Sequence, residues 1–202
     1  MAEDFLTIKN VSKFYAGVRA LDSVDMSIGR GEIHCLVGEN GSGKSTLIKI
    51  IAGVVKPDEG EIIIQGKSYK NLRPIDSINE GIQVIYQDLS LFPNLSVAEN
   101  ISLNQLIEEK KKIINWKEVK NIAWDVLSII KKELDLNEKV ENISIANKQL
   151  VAICRALIRN AKLIIMDEPT TAITKKEIDK LLSVILDLKE RGISTLFVSH
   201  KL

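Results

Sequence analysis

The stretch most able to do chemistry is GENGSGKST at 38–46. Gly38, Gly43, Lys44 and Ser45 satisfy G-x-x-x-x-G-K-[ST], between an apolar run (EIHCLVG) and a helix-forming one (STLIKIIAG), the context that pattern requires. Glycines let the backbone curl so that its N–H groups converge on phosphate oxygens, and a helix N-terminus adds its dipole. Lys44 has the reach to meet β and γ phosphates, and the Ser45 hydroxyl is a ligand for Mg²⁺. Gly38, Asn40, Gly41, Ser42, Gly43, Lys44, Ser45 and Thr46 therefore form a candidate nucleotide phosphate site. A turn that bound nothing would have no use for three glycines, each of which costs chain entropy on folding.

Such a site needs an acid near the metal, at the end of a neighbouring strand. KLIIMDEP at 162–169 supplies it: Asp167 closes the apolar run and is placed for Mg²⁺, and Glu168 is placed to polarise an attacking water. A DE pair after a strand is by itself usually a turn, and the phosphate loop upstream is what gives it a catalytic reading. Two more polar residues end strand-like runs: Gln87 after IQVIY and His200 after STLFVS. In an open α/β sheet ligands bind outside the carboxyl ends of the strands, so both are candidates for the γ-phosphate and its metal.

The elements that must position these groups are legible in outline. LTIKNV, ALDSVDMSI and EIHCLVG are strand-like and suggest an antiparallel beginning; STLIKIIAG puts Leu47, Ile48, Ile50 and Ile51 on a short helix that Gly53 stops. EIIIQG and IQVIYQ are further strands, with KPDEG as a turn. Ser96 and Glu99 form a capping box, and Trp116, Val119, Ala123, Val126, Ile130 and Leu134 recur at helical spacing, which predicts a helical lobe. EEKKK at 108–112 is a solvated helix end or loop. From 162 onward the pattern is strand, loop (EPTTAI), helix from Thr174 with Glu177 completing a capping box, and strand (ISTLFVS): βαβ, hence a parallel sheet with packed helices.

Composition sets the outer bounds. The 202 residues suffice for one sizeable core, and 28 Lys and Arg against 27 Asp and Glu give a formal charge of +1, which argues against nucleic acid or an anionic membrane as a general electrostatic partner. Cys35 and Cys154 lie in apolar runs without CxxC or His-rich spacing and read as reduced core thiols. MAEDFLTIKN has no apolar signal region, and no apolar run approaches the about 18 residues that span a bilayer, so the expected location is cytosolic, with membrane association through a partner.

Between these landmarks lies NISIANKQLV at 142–151, a polar patch that runs straight into the helical VAICRALI. Taken in order, Tyr15, GENGSGKST, Gln87, the SIANKQ patch, IIMDEP and His200 resemble the nucleotide-binding cassette of ABC transporters over essentially the whole chain. VRALDSVDMSI, EGIQVIYQDLSLFPNLSVAENI and IIMDEPTTAIT are most similar to the ATPase subunits of bacterial ribose, galactose and xylose importers. The resemblance implies an α/β P-loop NTPase with a RecA-like parallel core, an N-terminal antiparallel β subdomain and an inserted α-helical subdomain. It divides 1–202, one ATP-binding domain, into a core at about 1–87 and 160–202 and a helical part at about 88–159.

The same resemblance implies that Tyr15 stacks on adenine, that Gln87 senses Mg²⁺ and links the site to the helical part, and that Ala172, Ile173 and Thr174 lie at a dimer interface. ISIANKQ takes the place of the family's LSGGQ signature, so Ser144 would serve the nucleotide of an opposite cassette in trans; Ile145, Ala146 and Asn147 stand where the family has Gly, Gly and Gln. The implied cofactors are ATP and Mg²⁺. The implied partners are a second cassette, transmembrane permease subunits and, indirectly, an extracytoplasmic sugar-binding protein, with the cassette on the cytoplasmic side of the membrane. Importers of this type carry two cassettes per chain, so the chain reads as an N-terminal cassette. A soluble ABC ATPase acting on ribosomes or nucleic acid would carry a basic surface or a long insertion between Lys44 and Asp167; the net charge of +1 and the compact spacing of the two motifs count against it. A GTPase is a poorer match, since NKQL lacks the Asp of a guanine motif, and Glu168 and His200 leave no reason to prefer a non-hydrolysing cassette.

Overall fold

The computed structural model describes residues 4–110, 113–169 and 174–199. Two four-stranded sheets carry the architecture. The first, antiparallel, has the order β2 (Val18–Gly29), β1 (Asp4–Tyr15), β4 (Glu59–Ile64), β5 (Lys67–Tyr69). The β1–β2 hairpin pairs Tyr15 with Val18 across Ala16 and Gly17, both at positive φ, the two-residue turn whose twist suits a right-handed hairpin. The second sheet is parallel, in the order β3 (Ile33–Val37), β8 (Ser194–Ser199), β7 (Leu163–Asp167), β6 (Ile82–Ile85).

The third apolar run thus belongs to the parallel sheet and not to the antiparallel beginning that the sequence suggests. Beyond Gly29 the chain turns at Gly31, with φ 66°, and the Glu32 carbonyl accepts from the Thr195 N–H, which starts the Ile33↔Thr195 to Val37↔Ser199 register. Apolarity marks a strand but does not say which sheet it joins. The cysteine reading is corrected with it. Cys154 is buried, and desolvation pushes its thiol up to about 12, so it is inert. Cys35 is exposed, because it shares with Ile33 and Val37 the exposed face of an edge strand.

Two apolar cores meet on either side of the parallel sheet. Alternate residues of β7 divide between them: Leu163 and Ile165 pack with the first sheet and α1 (Lys44–Ile51), whereas Ile164 and Met166 face the helices. Burial on both faces explains why this strand reads as a continuous apolar run. The helical side comprises α3 (Val97–Glu108), α4 (Trp116–Ile129), α5 (Ile145–Ile158) and α6 (Lys175–Glu190), with Ile101, Ala123, Ile153 and Val184 in its core. Ser96 and Thr174 cap α3 and α6, each reciprocated by its glutamate, so both capping boxes form. Leu134 lies beyond the end of α4 and packs on the same core from an irregular stretch. The short β5 and α2 (Pro74–Asn79) have no counterpart in the sequence reading.

Candidate nucleotide site

All four strands of the parallel sheet end on one edge, and the loop 38–43, Gln87 and Glu168 lie just beyond the ends of β3, β6 and β7 there. β3 runs into the loop 38–43 and α1. Gly43, with φ 88°, is the N-cap of α1 and makes no side-chain cap bond. A Cβ at this glycine would lie 2.4 Å from the Ala20 carbonyl oxygen and 2.8 Å from Leu21, so β2 seats the loop directly and only glycine fits. Lys44 folds back over the loop: its ammonium donates to the Gly38 carbonyl at 2.5 Å, the Glu39 carbonyl at 2.8 Å and the Ser42 hydroxyl at 3.3 Å. The site thus gathers one cation and the N–H groups of an uncapped helix start, the donors an anion requires. Asn40, Gly41 and Ser45 are exposed beside it, and Thr46 is half-buried.

Asp167 is the last residue of β7, and Glu168 follows it with φ 50°, left-handed backbone that a non-glycine residue rarely adopts. The Glu168 N–H donates to the Val198 carbonyl of β8 at 2.9 Å, which anchors the turn to the sheet. Burial raises the Asp167 carboxyl above the usual carboxylate range, Glu168 adds to this, and the Lys44 ammonium opposes it. The metal candidate, the catalytic candidate and the loop lysine are therefore within electrostatic reach of one another. Just beyond β6, burial and, to a lesser degree, Asp167 raise the phenol of Tyr86, the residue before Gln87. Gln87, Asp167 and Glu168 line one cavity of about 410 Å³ with Ile145, Lys148 and Gln149 of α5. The phosphate loop is not among the residues that line it, so this cavity lies on the α5 side of the carboxylates.

The patch at 142–151 begins α5. Ser144 is its N-cap, exposed, and its hydroxyl accepts from the Asn147 N–H at 3.3 Å. Ile145 and Ala146, where the resembling family carries glycines, form the first helical turn. Glu177 is held below the usual range by the Thr174 N–H and hydroxyl, with a smaller contribution from the Ser144 hydroxyl, so α5 and α6 start side by side. Tyr15 is exposed at the end of β1 with the Lys13 ammonium 5.5 Å from its ring centre. Its hairpin leads into Ala20 and Leu21, which touch the loop at Gly43. His200, Ala172 and Ile173 lie outside the described residues; Thr174 caps α6.

One residue of the site has a role that its place in the sequence does not show. Gln149 is 6% exposed, and its side-chain amide donates to the Pro169 carbonyl, one residue beyond Glu168. The signal was a polar residue at core-facing spacing between Ala146 and Ile153, both buried.

The acidic pair does not end the neighbouring strand that the sequence suggests: β8 lies between β3 and β7 in the sheet. A phosphate-binding loop on a parallel sheet, with an acidic pair at the same edge one strand removed, defines a P-loop nucleotide-binding protein. The family model for ABC transporters matches residues 21–171, and the chain belongs to that family. It is 41% identical, over 97% of its length, to the ribose import ATP-binding protein RbsA 1 of Agrobacterium fabrum, covering 38% of that protein. It is 42% identical, over 100% of its length, to the xylose import ATP-binding protein XylG of Thermoanaerobacter pseudethanolicus, covering 40% of it. The chain thus spans about two fifths of the length of the curated relatives it matches. An ATP-binding cassette of an ABC transporter solved in its ADP conformation superposes with a TM-score of 0.86 at 31% identity, over 100% of this chain and 83% of that one. A dimeric bacterial ABC transporter cassette gives 0.78 at 32% identity, over 97% of this chain and 88% of that one. No described helix is long and apolar enough to cross a membrane.

Proposed function

We propose that the chain is an ATP-hydrolysing cassette that powers an ABC importer of a monosaccharide. The observation that carries the ATPase reading is the convergence of Lys44, Asp167, Glu168 and Gln87 at one sheet edge; the sugar rests on relatives named for ribose and xylose import. The N–H groups of the loop 38–44 and the α1 N-terminus bind the phosphates of ATP. Lys44 exchanges its loop carbonyls for the β and γ phosphates, a swap that its flexible stem permits. The exposed Tyr15 ring offers adenine a stacking face.

Hard, anionic oxygen donors suit Mg²⁺, and the raised Asp167 carboxyl beside Glu168 is a concentration of negative charge that a divalent cation relieves. Among the described residues no group of three or more His, Cys, Asp or Glu could hold a metal alone, which fits an ion completed by the nucleotide's own phosphates. Ser45, Asp167 and Gln87 would hold it, and it would supply neutralisation of phosphate charge. Glu168 accepts a proton from the attacking water, and His200 supports the γ-phosphate.

The opposite site is completed in trans by Ser144 and the start of α5 in a head-to-tail pair, a reading supported by the dimeric cassette that the chain superposes on. ATP closes the pair and hydrolysis reopens it. Helices α3 to α5 then pass the motion to permease subunits, so the cassette sits peripherally on the cytoplasmic face, and an extracytoplasmic sugar-binding protein delivers cargo. Lys44→Ala tests the base of this reading. Titration with a fluorescent ATP analogue should show no measurable binding; unchanged affinity overturns it.

A further inference from the structure

The turn that carries Glu168 is held from two sides. β8 holds its N-terminal side, through the Glu168 N–H and the Val198 carbonyl at 2.9 Å. α5 holds its C-terminal side, through the Gln149 amide and the buried Pro169 carbonyl. Between these two bonds Glu168 sits at φ 50°, directly after a buried strand, a conformation that persists only where its surroundings impose it. The Gln149 Oε1 is buried and has no hydrogen-bond partner among the described residues, and the side chain lines the cavity shared with Gln87, Asp167 and Glu168. A core position of this kind favours an apolar residue unless the amide is needed.

We infer that Gln149 is a positioning residue for Glu168: by gripping the Pro169 carbonyl it fixes the left-handed turn that aims the carboxylate. The inference deepens the ATPase reading and rests on it. Its consequence follows from α5 being one rigid helix. Ser144 caps the end offered to the opposite nucleotide, and Gln149, about 7.5 Å further along the axis, holds the carboxylate of the chain's own site. A displacement of α5 by the partner's nucleotide therefore reaches Glu168 without passing through the phosphate loop, so the two sites are linked within one chain through a single side-chain bond.

The test uses the full chain with its partner cassette and the variants Gln149→Leu, which removes the donor at similar volume, and Gln149→Glu, which sets an acceptor against the carbonyl. Turnover should fall about tenfold in Gln149→Leu, the value of one well-placed hydrogen bond, with KM and fluorescent-ATP affinity within about twofold of wild type. Amide exchange at Glu168 should accelerate in both variants while the interior of α5 stays protected. In a Glu168→Gln background, single-turnover rates should show no further loss from Gln149→Leu, because the group it positions is already gone.

A full additional tenfold loss in that background, or unaltered exchange at Glu168, overturns the inference. A parallel fall in nucleotide affinity and turnover also overturns it, since Gln149 would then be general scaffolding. Should Gln149→Leu fail to fold, Gln149→Glu carries the same exchange and rate comparisons. If wild type binds nucleotide but never hydrolyses it, the ATPase reading is what fails, and the exchange measurement still decides whether Gln149 holds the turn.

Discussion

Two helices of this chain begin at sites proposed to meet phosphate, and they begin differently. α1 starts from Gly43 with no side-chain cap and no acidic residue in its first turn, so its leading N–H groups are left to a ligand. α5 starts from Ser144, whose hydroxyl already accepts from the Asn147 N–H, and Ile145 and Ala146 complete its first turn. The first end has no side-chain acceptor for its leading N–H groups, whereas the second holds one of them with its own serine. A 3.3 Å cap bond is near the long limit of such contacts, so it can be exchanged at little cost. The difference matches a cassette that keeps nucleotide on α1 and offers α5 to a partner's nucleotide only during closure.

Substitutions at the α1 end should have the largest effects. Gly43→Ala sets a methyl group 2.4 Å from the Ala20 carbonyl oxygen, at φ 88°. Strain of about 1–3 kcal/mol from the backbone alone, with displacement of β2, should lower the denaturation midpoint and abolish nucleotide binding. Gly41→Ala is the control: its φ is 85°, but a Cβ there meets nothing within 4 Å, so only the conformational cost applies and weakened binding should survive. Equal losses in both variants would mean that the seating on β2 is irrelevant.

Next in size is the turn that carries Glu168, the proposed base. Glu168→Gln keeps the shape and removes the base, so turnover of an assembled pair should drop by about 10² or more at unchanged nucleotide affinity. Affinity that collapses with turnover would make Glu168 a metal ligand or a structural residue.

What the sequence made legible was whatever local chemistry decides. The 38–46 loop carries its own fold in its glycines, and the boxes Ser96/Glu99 and Thr174/Glu177 need only four residues each to form. Strand ends such as Asp167 follow from an apolar run and its first polar residue. What stayed hidden depends on distant partners. β3 has the same apolar signature in either sheet, and only its pairing with β8, far along the chain, settles the matter and exposes Cys35. The three residues of β5 are too few to show a period, and α2 starts from Arg73, whose N–H donates to the Asp76 carboxylate, without the side-chain acceptor that a Ser or Thr would signal. Gln149 stood in a patch that reads as polar surface, and only the helix phase of α5 turns it inward to Pro169.

The smallest effect, and the one that separates the two helix starts, lies at Ser144. As a cap alone the residue is replaceable: Ser144→Asn and Ser144→Asp both keep a side-chain acceptor for the Asn147 N–H, and Ala would cost about 1 kcal/mol. A carboxylate at a helix N-terminus is favourable by itself, though the nearby Glu177 offsets part of that gain. The stability of the isolated chain should therefore change by less than about 1 kcal/mol in Ser144→Asn and Ser144→Asp, as read from chemical denaturation. Nucleotide affinity at Lys44 of the same chain should not move, because α1 and its loop are untouched. In the assembled pair the two variants should part. Asn, a neutral donor and acceptor, should retain much of the turnover, and Asp, which sets a fixed negative charge against a γ-phosphate, should suppress hydrolysis at the opposite site. Equal rates for Asn and Asp would show that α5 meets no phosphate, and that its cap serves only the helix.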